Sequence, residues 1–75
     1  MSHAIAIKVL LLTNKVSQAD IVRATGKGHR RPVDKSVVSK VVAGRLTSGA
    51  DATRAAKAIA KAVKQPVASL FPWAA

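Results

Sequence analysis

The chain has 75 residues, with 13 Lys and Arg against three Asp and Glu, a formal charge of +10, and no cysteine. That length allows one small domain, and a hydrophobic share of 49% sets it apart from a disordered basic tail. Lack of cysteine excludes a disulfide framework, a thiolate metal site and a Cys nucleophile, and two isolated histidines cannot assemble a zinc site, so no metal or cofactor is expected.

The apolar run in residues 1–13 is too short to span a bilayer and has no cationic segment before it, which leads us to expect no signal peptide, no membrane association and a cytoplasmic protein. A charge of +10 attracts polyanions. The aromatic content is only Phe71 and Trp73. Surfaces that bind single strands stack bases on several rings, so duplex DNA is the favoured polyanion.

The composition, rich in Ala and without strand-length alternation, predicts an all-α domain of four to five helices. Ser2 can cap a first helix ending near Thr13, with Ile5, Val9 and Leu12 on one apolar face that Ile7, Leu10 and Leu11 widen. A second helix begins at Ser17, where Asp20 stands three residues on as in a capping box, and ends at Gly26, a residue able to take the left-handed conformation. Residues 27–32, Lys-Gly-His-Arg-Arg-Pro, read as a basic loop because Gly28 and Pro32 oppose helix. Asp34 offers an N-cap for a third helix with Val38, Val41 and Val42 inward and Gly44 as terminator.

Asp51 is expected to cap a fourth helix reaching about Lys64. Ala52, Ala56, Ile59, Ala60 and Val63 lie on its inner face, with Arg54, Lys57, Lys61 and Lys64 opposite. That cationic stripe reads first as the polar face of an amphipathic helix. Gln65 and Pro66 end it, and Pro66 can start a short fifth helix whose Val67, Leu70, Phe71 and Trp73 close the core. Phe71 and Trp73 read first as core residues, with a dimer contact near the C-terminus as the second reading.

Two short helices over about 17–26 and 34–44 have the outline of a helix-turn-helix. Beyond that outline, five pieces occur in order: Val16-Ser17-Gln18 with Ile21-Val22; Gly26; the run from Val38 to Arg45; Ile59 to Val63; and Leu70-Phe71-Pro72. Together they resemble the lambda-repressor-like family of Cro/repressor type, over most of the chain from about residue 5 to 72. Gln18 and Gly26 keep the family's spacing of eight. The chain departs by inserting residues 27–32, after which Val33 resembles the apolar turn residue. It departs again at Val22, where the family usually has a small residue.

The resemblance implies a single DNA-binding domain in which the helix from Asp34 enters the major groove. Base contacts are expected from Lys35, Ser36, Val37 and Lys40: Lys donates to guanine O6 and N7, and valine methyls can meet a thymine methyl. Gln18, Ser39 and Arg45 are the expected phosphate contacts. Lys27, Arg30 and Arg31 of the loop, with His29 a bystander, would follow a phosphate strand or enter the minor groove, although a charge run is ordinarily just solvated surface.

The implied function is a transcriptional regulator of phage Cro or repressor type that acts as a homodimer, occupying an operator and blocking RNA polymerase, in a bacterial cytosol or nucleoid. A second reading has the scaffold dock on RNA polymerase through the basic loop, and a third has nonspecific, histone-like DNA binding. An enzyme is not expected, because Asp20, Asp34 and Asp51 all stand at helix starts and no Ser, His and Asp are ordered around a pocket. No small-molecule ligand is expected either.

Overall fold

The computed structural model describes residues 3–26 and 31–74, with the side chain of His3 left aside. The described residues form five α-helices and a short 3-10 helix, without strands: α1 His3–Thr13, α2 Gln18–Thr25, α3 Lys35–Val42, α4 Ala50–Ala62, α5 Val67–Leu70, and the 3-10 turn Pro72–Ala74. The all-α expectation holds. None of these helices is long and apolar enough to cross a membrane.

The helix boundaries follow local chemistry. Ser17 Oγ accepts the Asp20 backbone N–H at 3.1 Å and Asp20 Oδ2 accepts the Ser17 N–H at 2.9 Å, a reciprocal capping box at the start of α2. Asp34 Oδ1 accepts the Ser36 N–H at 2.9 Å and starts α3. At the other end of α3, Gly44 has φ +77°, its N–H reaches Val41 O at 3.1 Å, and the Arg45 N–H reaches Lys40 O at 2.9 Å. This is a Schellman closure, and the same pattern ends α1 at Lys15 and α4 at Lys64, both of which hold a positive φ without being glycine.

The core is built from Ile7 and Leu11 of α1, Ile21 of α2, Val33, then Val38, Val41 and Val42 of α3. The inner face of α4 and Leu70, Phe71 and Ala74 complete it. The alanines let α4 pack closely against both α2 and α3, and Trp73 meets Phe71 edge-on at 5.8 Å. Phe71 is buried, so the C-terminal aromatics serve the core.

Five expectations are corrected. Ile5, Val9 and Leu12 do not form the inner face of α1: they are 49, 50 and 80% exposed, while Ile7 and Leu11 point inward. Because α1 carries aliphatic residues on every side and a single charge, Lys8, its apolar pattern did not single out the buried side. Gly26 ends α2 with φ −89°, outside the left-handed region. Space is the reason for glycine there, since a Cβ at Gly26 would lie 2.7 Å from Pro32 Cγ.

Asp51 is not the cap of α4. Gly49, at φ +100°, starts that helix two residues earlier, and Asp51 sits exposed in its first turn. Lys64 likewise falls beyond α4, which ends at Ala62. The cationic stripe loses Arg54, whose guanidinium turns toward α2, and keeps Lys57, Lys61 and Lys64 exposed.

Candidate nucleic-acid interface

α3 divides cleanly into two faces. Val38, Val41 and Val42 are at most 1% exposed and fix the helix to the core. Ser36, Ser39 and Lys40, spaced i, i+3 and i+4, are exposed on the opposite side, with Lys35 exposed on the first turn. Val37 lies on the margin of this face, half-buried, and packs partly against the core. Arg45 follows the helix, exposed, with its backbone direction set by the Schellman closure.

Gln18 occupies the first position of α2 and is half-buried, on a different element from the α3 group. Arg31 is exposed. Lys27, His29 and Arg30 lie outside the described residues.

Charge on this surface is one-sided. Among the described residues the ion pairs are Asp20 with Arg23 and Asp51 with Arg54, so no carboxylate holds Lys35, Lys40 or Arg45. The nearest acid, Asp34, is committed to capping. The Ser36 N–H, then the Ser36 hydroxyl, with a smaller contribution from the charge of Lys40, hold its carboxyl below the ordinary aspartate value, and it stays ionised. Asp20 is lowered in the same way by the backbone N–H and hydroxyl of Ser17, helped by Arg23.

The position of α3 relative to α2 depends on residues that the sequence pattern passed over. Thr25, 8% exposed, donates its hydroxyl to Val22 O at 2.7 Å and accepts the Val33 N–H at 2.9 Å. Arg54 Nη2 donates to Thr25 O at 2.7 Å and also to Arg31 O, while its Nη1 stands 3.6 Å from Asp51. Pro32 packs on Gly26. Both ends of the 27–30 segment are therefore fastened at one point, and Val33, 3% exposed, enters the core directly beside the end of α2. A Gly and a Pro at the two flanks were the available hint; the reach of Arg54 across 29 positions has no local signature.

Elsewhere the surface is chemically plain. A cleft of about 280 Å³ between α2 and α4 is lined by Ala24, Ala58, Lys61 and Ala62, a set without an acid–base pair. No group of three or more His, Cys, Asp or Glu side chains suited to a metal ion occurs among the described residues. In comparisons with known proteins, no family model, no curated protein and no solved structure matches the chain.

Proposed function

We propose that the chain is a sequence-specific, double-stranded DNA-binding transcriptional regulator of lambda-repressor-like type, in which α2 and α3 form a helix-turn-helix and α3 is the recognition helix. The observation that carries this reading is the two-faced α3: a valine face anchored in the core and an exposed Ser36, Ser39 and Lys40 face beside Lys35, with neither lysine in an ion pair. A helix read by base edges needs both rigid support and outward hydrogen-bonding groups. The surplus of ten positive charges supports binding to a polyanion through counterion release.

In this proposal Lys35, Ser36 and Lys40 read bases, with Val37 at the margin. Gln18, Ser39, Arg45 and Arg31, together with Lys27 and Arg30, contact the backbone. Two copies occupy a two-fold operator in a bacterial cytosol or nucleoid. The protein carries no catalytic role in this scheme.

A gel shift against fragments from around the chain's own gene, with excess competitor DNA and at two salt concentrations, tests it. A competitor-resistant complex on one fragment is expected, and Ser36→Ala or Lys40→Ala should weaken that complex more than binding to random DNA, by about 1–3 kcal/mol where a bidentate contact is lost. Equal losses on both would remove base readout from those positions. Binding that competitor or salt abolishes everywhere would overturn the operator reading, and capture of RNA polymerase without DNA, lost on changing Arg30 and Arg31, would replace it.

A further inference from the structure

Three exposed lysines follow one another along the outer side of α4 and the turn that ends it. Lys57, Lys61 and Lys64 are spaced i, i+4 and i+7 and rise roughly 10 Å along the axis. Like charges three or four positions apart weaken a helix, and an ordinary solvent face relieves this with acids at the same spacings. None stands there. The three Asp and Glu of the chain are engaged elsewhere: Asp20 pairs with Arg23, Asp34 caps α3, and Asp51 pairs with Arg54. The helix dipole favours Lys61 and Lys64, but that effect is spent within the last turn and leaves Lys57 uncompensated. A local choice that costs the helix and gains nothing in the fold marks a surface kept for a ligand.

We propose that this row is a second, sequence-independent phosphate track, which takes the backbone of a second DNA duplex while a first lies on α3. That a duplex lies on α3 rests on the function proposed above; the α4 row does not.

The make-up of the face selects the occupant. Lysine and alanine are both scarce in protein–protein interfaces, whose binding energy comes from aromatic and arginine anchors. This face is lysine beside Ala24, Ala58 and Ala62, and its one arginine, Arg54, is turned to Thr25 O and Arg31 O. An anionic bilayer would need large apolar side chains among the cations, and the exposed large hydrophobics of the described residues lie on α1. A single strand would need rings on which to stack, but Phe71 is buried and Trp73 packs edge-on against it. What fits is phosphate alone. A duplex carries one charge for about every 1.7 Å of its axis, so several phosphates pass along the row, and the small alanines let a backbone come close without any base being read.

The duplex on the row is a separate one. α4 packs against α3 through the faces that both bury, so the lysine row and the exposed Ser36, Ser39 and Lys40 face look away from each other. The described residues extend 36 Å along their longest axis, far less than the roughly 500 Å over which a duplex bends freely. One duplex therefore cannot serve both faces, and the chain joins two.

The test uses the full chain and three double variants of equal charge: Lys57→Gln with Lys61→Gln on the row, Lys35→Gln with Lys40→Gln on α3, and Lys8→Gln with Lys15→Gln as a control away from both. All six residues are exposed, and melting temperatures verify folding. A bead-tethered duplex is loaded with protein, and capture of a free labelled duplex of random sequence is measured, alongside the salt dependence of binding to random duplex. Wild type and the control should capture the second duplex. The row variant should load on the tethered duplex and lose the capture, and its slope of log K against log salt should fall by roughly 2, with each single variant giving about half of that.

Capture unchanged in the row variant overturns the proposal, since bridging would then come from pairing of copies through their α3 faces. An equal fall of slope in the control overturns it as well, leaving net charge as the cause. Preference for polyglutamate over duplex, lost in the row variant, would assign the face to an acidic protein and refute the duplex. Failure of the α3 reading looks different: Lys35→Gln with Lys40→Gln would leave all binding unchanged, while the row still stands or falls on its own salt slope. A wild type that binds no duplex refutes both.

Discussion

The hydroxyl of Thr25 accepts the backbone N–H of Val33 at 2.9 Å, joining the last residue of α2 to the first core residue ahead of α3. Val33 is buried, so no water replaces this acceptor cheaply. Thr25→Val keeps the shape and removes the oxygen, and should lower stability by about 1–3 kcal/mol, the cost of an orphaned buried donor. At this chain length each kcal/mol moves the melting temperature by about 4–8 °C. Thermal unfolding by circular dichroism reads the change, and Thr25→Ser should recover most of it. An unchanged melting temperature in Thr25→Val would show that the bond does not hold the two helices together.

Two glycines should respond to alanine for different reasons. Gly26→Ala drives a Cβ to 2.7 Å from Pro32 Cγ and should cost about 1–3 kcal/mol through overpacking. Gly44→Ala meets nothing within 4 Å, yet its φ of +77° should cost about 1 kcal/mol through backbone strain. Adding Pro32→Ala should rescue the first variant and leave the second as it was. Urea melts of the four variants distinguish the cases, and rescue of neither would contradict the contact.

Acid should destabilise the fold late. Asp20 and Asp34 both have folded pKa values below the ordinary aspartate value, owing chiefly to the backbone N–H groups of Ser17 and Ser36. Their contribution is fully present above the unfolded value of about 3.9 and is lost as the pH falls through the lower folded values. The urea midpoint should therefore be level from about pH 7 to about pH 5 and decline below about pH 4. Asp20→Asn should flatten part of that decline. A midpoint already falling by about pH 5 would show that other groups govern acid stability.

Much of this architecture was legible because helix ends are written locally. Ser17 with Asp20, Asp34, Gly44 and Pro66 each act on residues within a few positions, and each ends or starts an element close to where the sequence put it. The valine face of α3 was equally readable, since Val38, Val41 and Val42 leave only one side for the core.

What stayed hidden was either degenerate or distant. The inward face of α1 was opposed by a single charge, Lys8, among aliphatics on every side, so Ile7 and Leu11 did not stand out from Ile5, Val9 and Leu12. Asp51 resembled a cap until Gly49, with its positive φ, proved to start α4 earlier. Arg54 belonged by periodicity to a solvent stripe, and only the folded chain shows Thr25 O and Arg31 O within its reach. The candidate interface was accordingly readable on α3, while the residues that set its angle to α2 were not.

The fastening of Thr25, Pro32 and Val33 near Arg54 also makes this turn a natural grafting point. With both flanks tied at one place, the length of sequence carried between them is uncoupled from the crossing of α2 and α3. Closing a longer insert costs only about 0.6 kcal/mol for each doubling of its length. An epitope or reporter peptide placed between Gly26 and Arg31 should leave the valine core intact, so the position offers a port for new sequence in a chain of only 75 residues.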